Sequence, residues 1–181
     1  MEQEAFKDKD SAAATSHKHE SPKKLKIALF TVSSSRSRDS TLRDESGEIA
    51  KDLCKKAGHD FSHMIIDDSK PLIRLSVFKA LYENSSDAAI FLGGTGLSPR
   101  DVTIEAISPL LDKCLDGFGE IFRRLSFDDI GSAALMTRAL AGTMESKVIC
   151  CLPGSPDAVK LGMELVLKEL PHAVFIAKSK P

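Results

Sequence analysis

The segment Gly93-Gly94-Thr95-Gly96 has the composition of a turn that binds an anion. It follows the apolar run Ala88–Leu92, and glycines between a strand and a helix let backbone N–H groups approach an anion closely. The N-terminus of the following helix adds partial positive charge, and Thr95 adds a hydroxyl donor. A tight turn that only joins the strand to the helix explains the glycines equally well, because neither the Walker pattern nor GxGxxG is present.

Two aspartates near this turn indicate a divalent cation. Asp101 lies shortly after the last glycine, and Asp68 follows a predicted strand. Carboxylates beside a phosphate repel it unless a cation such as Mg²⁺ offsets both charges, so we predict that these two residues hold Mg²⁺. The alternative is that Asp101 caps the next helix and Asp68 begins a turn. Arg100 and Arg138 are candidate phosphate partners, although an exposed arginine more commonly has no such role.

Apolar patterning predicts the elements that carry these residues. Four short runs rich in aliphatic and β-branched residues predict strands at 25–32, 61–66, 88–92 and 148–152. Apolar residues at helical spacing predict helices over 49–57, 71–84, 103–111, 119–127 and 157–170. This alternation predicts an α/β fold of three layers, in which a mainly parallel sheet has helices on both faces.

Sheets of this kind bind ligands at the carboxyl ends of their strands. Four loops follow the predicted strands and should therefore meet at one edge of the sheet: 33–47, 67–70, 93–101 and 153–157. The first loop, "SSSRSRDSTLRDESG", is largely polar, and the last contains Ser155 as the predicted N-cap of a helix that Pro156 begins. The predicted fold thus brings the glycine-rich turn, Asp68 and Asp101 to one site.

Composition restricts the class of protein. With 181 residues, 42% of them hydrophobic, the chain can form one globular domain with a substantial core. A net charge of −1 gives no general attraction to nucleic acid or to an anionic membrane, and no signal-peptide pattern or membrane-length apolar run is seen. The four cysteines (Cys54, Cys114, Cys150 and Cys151) lack metal-ligand spacing and are predicted to be reduced and mostly buried. We expect a soluble cytoplasmic protein that binds neither nucleic acid nor a membrane.

The N-terminal segment differs from the rest of the chain. Residues 1–24 are rich in Lys, Asp, Ser, Ala and His and contain little apolar surface to bury. Such a segment cannot offset the entropy lost on ordering. We therefore predict a disordered tail over 1–24 and a single α/β domain over 25–181.

The order of three motifs resembles a known family. "GGTGLSPRDVTIEAISPLL", "GFGE" and "LPGSPDAV" follow one another along the chain. Together they resemble the molybdenum-cofactor biosynthesis proteins of the MogA/MoaB type, the molybdopterin adenylyltransferases, whose fold also occurs in gephyrin. The resemblance extends over about 25–175. It implies an enzyme that transfers AMP from ATP to the terminal phosphate of molybdopterin, with Mg²⁺, and releases pyrophosphate.

The resemblance also implies roles for residues that match the family's motifs. Asp101 matches the catalytic aspartate of "PRD", and Asp68 matches the aspartate of the segment "PDE", here "DDS". The remaining positions are implied to bind substrate: Ser33, Gly93, Gly94, Thr95, Gly96, Arg100, Glu120, Thr137, Arg138, Pro153, Gly154 and Ser155. The family's "SD" after the first strand is here Ser33-Ser34, so one carboxylate is replaced by a hydroxyl.

Partners and alternatives follow from the same resemblance. It implies a homo-oligomer, either a trimer or a hexamer, whose product passes to the protein that inserts molybdate or tungstate. Because Ser34 replaces an aspartate, one alternative is a non-catalytic molybdopterin-binding or scaffold protein of the same fold. A relative that acts on another nucleotide or phosphate ester is the third possibility, since a fold does not fix a function.

Overall fold

The structure, a computed structural model, describes residues 21–179. Its centre is one sheet of six strands: β1 (Lys26–Val32), β2 (Asp60–Ile66), β3 (Ala88–Leu92), β4 (Lys113–Cys114), β5 (Leu140–Met144) and β6 (Lys147–Leu152). The strand order is β2-β1-β3-β6-β5-β4. Strands β2, β1, β3 and β6 are parallel, whereas β5 is antiparallel to β6 and β4 to β5. The tail predicted over 1–24 lies outside the described residues except for 21–24.

Helices cover both faces of this sheet. They are α1 (Ser34–Arg38), α2 (Glu45–Lys56), α3 (Lys70–Phe78), α4 (Thr103–Ile107), α5 (Asp116–Ile130) and α6 (Pro156–Lys178). A π-helical turn, Lys79–Glu83, extends α3, and 3₁₀ turns follow α4 (Ser108–Leu110) and α5 (Gly131–Met136). None of these helices, which are those of residues 21–179, is long and apolar enough to cross a membrane.

The sheet separates two hydrophobic cores. Ile27 and Leu29 of β1 pack with α2 and α6 on one face, whereas Ala28 and Phe30 pack with α3 and α4 on the other. Every residue of β3 is buried, with at most 1% of its surface exposed, which explains why that strand is an unbroken apolar run. The predicted three-layer α/β fold is confirmed.

The register of the parallel strands aligns their carboxyl ends. Thr31 of β1 pairs with Leu92 of β3, and Leu92 lies opposite Leu152 of β6. On the other side of β1, Val32 lies opposite Ile66 at the end of β2. The four loops that leave these strands therefore begin at one edge of the sheet, as predicted.

Strands β4 and β5 were not predicted. β4 has only two residues, and β5 contains Gly142, which weakens a strand pattern. A Cβ at Gly142 would lie 2.4 Å from the Lys113 carbonyl oxygen, so the absence of a side chain allows this close pairing. Glu145 and Ser146 form the turn between β5 and β6 with φ of +45° and +67°. Turns of this kind are usually recognised in a sequence by Asn-Gly, which is not present here. The pairing of β4 and β5 depends on close backbone contacts, and the pattern of side chains in the sequence does not predict such contacts.

Several helices extend beyond their predicted bounds. The predicted loop 33–47 contains α1 and the first turn of α2, whose N-cap is Asp44. α5 is longer than predicted at both ends. α6 continues through Pro171, although proline removes one backbone donor, because Val174 in the next turn is fully buried in the core.

Three of the four cysteines are buried in the cores. Cys54, Cys150 and Cys151 are buried, whereas Cys114 on the edge strand β4 is exposed, and all four are free thiols. Burial raises the pKa of Cys54 and of Cys150 to about 12. These thiols stay protonated and act as small apolar side chains, as predicted.

Candidate functional site

A cleft of about 630 Å³ opens at the carboxyl edge of the parallel strands. The loops after β1, β2, β3 and β6 form its walls, together with the end of the 3₁₀ turn after α5 and the two residues that follow. With the exception of Glu120, the predicted site residues line this one cleft: Ser33, Asp68, Gly93, Gly94, Thr95, Gly96, Arg100, Asp101, Thr137, Arg138, Pro153, Gly154 and Ser155.

Glu120 lies apart from the cleft. It is exposed on α5 and lines a smaller cavity of about 350 Å³ together with Asp116 and Arg123. The buried residues of this helix are Gly119, Phe122 and Ser126. The motif resemblance placed Glu120 at the substrate, but within one copy of this chain the helix presents it on a different surface.

Backbone geometry requires glycine at two positions of the turn. Gly93 and Gly94 have φ of +99° and +64°, in the left-handed region that favours glycine. A Cβ on Gly93 would lie 2.7 Å from the Val32 carbonyl oxygen. A Cβ on Gly94 would lie 2.4 Å from Thr103 Oγ1 and 3.0 Å from Asp68 Oδ1. The turn therefore packs against β1 and against Asp68 so closely that neither glycine has room for a side chain.

The turn keeps backbone donors available for an anion. Thr103 donates its N–H to the Gly94 carbonyl at 2.9 Å and its hydroxyl to the Gly93 carbonyl at 2.8 Å. Among residues 21–179, the N–H groups of Gly94, Thr95 and Gly96 have no protein acceptor. The following helix, α4, has only five residues and its first N–H is already bonded, so it contributes less positive charge than the sequence predicted. The N–H groups of the turn itself are the donors suited to a phosphate.

Asp68 is held in place by Ser34. Asp68 Oδ2 accepts the Ser34 N–H at 2.6 Å and the Ser34 hydroxyl at 2.8 Å. Asp68 Oδ1, which lies beside Gly94, has no donor within the described part of the chain. The N-cap position of the helix that follows is Ser69, whose side chain makes no capping hydrogen bond, so Asp68 is not the N-cap residue. A hydroxyl donor thus stands where the motif resemblance led us to expect a second carboxylate, and one oxygen of Asp68 remains available.

Asp101 is held by the turn that it closes. Its Oδ2 accepts the Ser98 N–H at 3.0 Å, and its own N–H donates to the Ser98 carbonyl at 2.9 Å. Gly96 provides the space, since a Cβ there would lie 2.7 Å from Asp101 Oδ2. The N-cap of α4 is Val102, with no side-chain cap, so Asp101 does not cap that helix. Asp101 therefore presents a carboxylate to the cleft that backbone contacts hold in position.

Arg138 lines the cleft and also supports the glycine-rich turn. Its Nε donates to the Thr95 carbonyl at 2.7 Å, and its terminal nitrogens donate to the two Glu105 carboxylate oxygens at 2.6 and 3.2 Å. The hydrogen bond between the two side chains lowers the pKa of Glu105 and raises the pKa of Arg138. A bidentate pair of this kind fixes the orientation of the guanidinium. Arg100, which is exposed on the cleft wall, is the predicted phosphate partner that can adapt to a substrate.

The loop 153–155 touches the glycine-rich turn. A Cβ on Gly154 would lie 3.0 Å from Gly93 Cα, so the two backbones are in contact. The Ser46 hydroxyl donates to the Gly154 carbonyl at 2.7 Å. Ser155 is the N-cap of α6 and Pro156 begins that helix, as predicted. The two loops form adjacent walls of the same cleft.

A polar cluster next to the cleft was not predicted. Thr31, Asp44 and His63 share hydrogen bonds at the point where β1, β2 and α2 meet. The segment 44–47 was predicted to be part of a loop. An aspartate at the N-cap of a helix accepts the N–H of the residue three positions later, and Asp44 and Gly47 have this spacing. That spacing could have located the start of α2. No local pattern links Asp44 to Thr31 and His63, which lie far from it in the sequence.

Comparison with known proteins decides the family. Residues 28–172 match the family described as a probable molybdopterin binding domain. The chain belongs to this family. It is 42% identical to the molybdenum cofactor biosynthesis protein B of Bacillus cereus over 166 residues, which cover 90% of this chain and 96% of that protein. It is 44% identical to the protein of the same name from Bacillus subtilis over 161 residues, which cover 87% of this chain and 93% of the relative.

A solved structure has the same fold. It is that of the tungsten cofactor synthesizing protein MoaB from Pyrococcus furiosus, which is 36% identical and superposes with a TM-score of 0.81. The match covers 87% of this chain and 99% of the archaeal chain. The predicted resemblance to the MogA/MoaB type is confirmed, and the protein is a member of a molybdenum or tungsten cofactor biosynthesis family.

Proposed function

We propose that this family member is a molybdopterin adenylyltransferase. A terminal phosphate oxygen of molybdopterin attacks the α-phosphorus of ATP and forms a new P–O bond. The bond from the α-phosphorus to the bridging oxygen breaks, and its electron pair leaves with pyrophosphate. The observation that supports this most is the meeting, in one cleft, of a turn with unused N–H donors and two carboxylates that each keep one oxygen uncommitted.

The cleft suits small phosphorylated substrates. Its volume of about 630 Å³ falls in the range of about 300–1,000 Å³ that ligand pockets of proteins have. The N–H groups of 94–96 would bind and orient the molybdopterin phosphate, while the loop 153–155 would position the nucleotide beside it. Arg100 would offset negative charge on either substrate. Contact between the two loops keeps these binding positions adjacent, as a reaction between two phosphates requires.

The two carboxylates fit a magnesium ion. Within residues 21–179, no group of three or more His, Cys, Asp or Glu side chains forms a metal cage. Mg²⁺ needs no such cage, because one or two carboxylates together with substrate phosphates commonly hold it. Asp68 and Asp101 would hold it through the oxygens that Ser34 and Ser98 do not occupy. When bound, Mg²⁺ offsets the charge of the triphosphate.

A non-catalytic molybdopterin-binding protein is the second candidate, and Ser34 is the observation that favours it. The test is pyrophosphate release from ATP and Mg²⁺, measured with and without molybdopterin. Release that requires molybdopterin supports the transferase. Tight molybdopterin binding without release supports the binding protein, and absence of both points to another phosphate ester as ligand.

We further propose that the protein acts as a homo-oligomer, a trimer or hexamer, and passes its product to a metal-insertion protein. A stripe of large apolar side chains on and just after α3 supports self-association. Leu72, Leu75, Phe78 and Tyr82 each expose between 44% and 47% of their surface. Exposed apolar side chains that lie next to one another on a surface mark interaction sites in many proteins. Sedimentation equilibrium at micromolar concentration should give a trimer or hexamer, and a monomer would contradict the proposal.

A further inference from the structure

The cluster of Thr31, Asp44 and His63 fixes the N-terminus of α2 against the sheet. The Asp44 side chain is 8% exposed. Its Oδ1 accepts the Gly47 N–H at 3.0 Å, and its Oδ2 accepts the Thr31 hydroxyl at 2.6 Å. His63 Nε2 lies 3.2 Å from Asp44 Oδ2 and 3.0 Å from the Thr31 hydroxyl. A buried carboxylate is tolerated only where its oxygens are paired in this way.

The packing around Asp44 leaves α2 no room to shift. A Cβ on Gly47 would lie 2.2 Å from Asp44 Oδ2 and 2.7 Å from His63 Nε2. The first turn of α2 therefore sits directly on the cluster. Ser46 belongs to that turn, so its position is set by contacts to β1 and β2.

Ser46 connects this fixed helix to the cleft. Its side chain is buried, and its hydroxyl donates at 2.7 Å to the carbonyl of Gly154, 108 residues away in the sequence. Gly154 contacts Gly93. The Ser46 hydroxyl thus bonds α2 directly to the loop 153–155, which is also tied to α2 by the packing of α6, and through that loop it reaches the glycine-rich turn.

We propose that Ser46 is a positioning residue of the nucleotide site. Its hydroxyl holds the Gly154 carbonyl toward α2, and this keeps the loop 153–155 in the orientation that binds the nucleotide. Gly154 has no side chain to restrict rotation of its peptide group. A carbonyl released by Ser46 could turn into the cleft, where its partial negative charge would repel phosphates. The nucleotide part of this inference rests on the proposed adenylyl transfer, but the effect on the two loops does not.

The test uses Ser46→Ala in the full chain, with Ser126→Ala as its matched control. Ser126 is also a buried serine whose hydroxyl donates to a backbone carbonyl, that of Phe122, but this acceptor lies within its own helix. Ser46→Thr keeps the hydroxyl and should restore the wild-type behaviour. Urea melts of all variants show whether the fold is retained.

The first measurement is amide hydrogen exchange without ligand. We follow three protected amides that report on the two loops: the N–H groups of Gly93, Thr103 and Val159, which donate to the carbonyls of Leu152, Gly94 and Ser155. We expect these amides to exchange faster in Ser46→Ala than in wild type, with no such local change in Ser126→Ala. The second is calorimetry with ATP and Mg²⁺, in which Ser46→Ala should bind about five- to tenfold more weakly, as expected for one lost hydrogen bond. Molybdopterin affinity should change less.

Three results would overturn the inference: unchanged exchange at both loops in Ser46→Ala, an equal loss of ATP affinity in Ser126→Ala, or no recovery in a folded Ser46→Thr. If the wild-type protein binds molybdopterin but not ATP, the proposed adenylyl transfer fails and the nucleotide role of Ser46 fails with it. The exchange measurement then decides separately whether Ser46 positions the two loops.

Discussion

The two carboxylates of the cleft are held in different ways. A side chain contributes to fixing Asp68, because the hydroxyl of Ser34 bonds to it together with the Ser34 N–H. Asp101 is fixed by backbone alone, through the Ser98 N–H in a turn that Gly96 leaves room for. Most single substitutions can remove a side-chain donor but not a backbone donor, and only proline removes the N–H. Substitution of a side chain can therefore alter how Asp68 is held more readily than how Asp101 is held.

The largest effect should come from removing either carboxylate. Asp68→Ala or Asp101→Ala should lower the rate of adenylyl transfer by about 10²-fold or more, because charge on the phosphates is no longer offset in the transition state. Both side chains line an open cleft, so the fold should survive. Asp52→Ala, an exposed position on α2, is the control. A wild-type rate in a cleft variant, measured by pyrophosphate release, would remove the substituted aspartate from the mechanism.

Gly94→Ala should affect the fold as well as the site. The added methyl would meet Thr103 and Asp68 rather than open cleft, and φ at Gly94 is +64°. We expect the free energy of unfolding to fall by about 1–3 kcal/mol, measured by urea denaturation. Gly117→Ala is the matched control, because Gly117 has no atom near its Cβ position and no positive φ. Equal free energies of unfolding of the two variants would show that the turn has room for a side chain at position 94.

The difference between the two carboxylates can be tested with a pair of serine substitutions. Ser34→Ala removes a hydroxyl bond to Asp68 and should lower kcat/KM about tenfold, as for a lost hydrogen bond to a charged group. Ser98→Ala keeps the backbone N–H that Asp101 accepts, so kcat/KM should change less than about twofold. Steady-state kinetics of both variants checks this. Equal losses would show that the two carboxylates are held alike.

The smallest effect concerns pH. Burial lowers the pKa of His59 and of His63, and for His63 this outweighs the attraction of Asp44. A histidine whose pKa is lower in the folded state destabilises the fold as pH falls below its usual value of about 6.5, because the unfolded chain binds more protons. The lowered pKa of Glu105 acts only at more acidic pH. The urea midpoint should therefore drop modestly between about pH 7.5 and pH 5.5, and less so in His63→Gln. A midpoint independent of pH, or equal slopes in both proteins, would contradict this role of His63.

The sequence predicted the parallel half of the fold better than its antiparallel edge. The strands that contain Phe30, Phe91 and Cys151 are buried on both faces and read as apolar runs, so composition alone locates them. β5 pairs through Gly142 and turns at Glu145 and Ser146, whose positive φ follows from tertiary pairing rather than residue type. Local patterns report burial, and they do not report close backbone contact.

The cleft residues could be predicted, but not the contacts that hold them. Glycines and aspartates in loops after strands mark a ligand edge, and Gly94 and Asp101 do line the cleft. Ser34 bonds to Asp68 across 34 positions, and Arg138 bonds to Glu105 across 33. Such pairs form only after the chain has folded, so the bonds by which Arg138 supports the turn could not be predicted, and its role as a phosphate partner stays a prediction. Glu120 was placed by motif alone, and the helix that carries it presents it elsewhere.

The most direct test of the central claim follows the α-phosphate of ATP. The wild-type protein is mixed with Mg²⁺, molybdopterin and ATP labelled at the α-phosphate, and the products are separated. Adenylyl transfer predicts that label moves to the pterin and that one pyrophosphate is released for each label transferred. Label that stays in ATP, or that appears only in free AMP, would contradict the account.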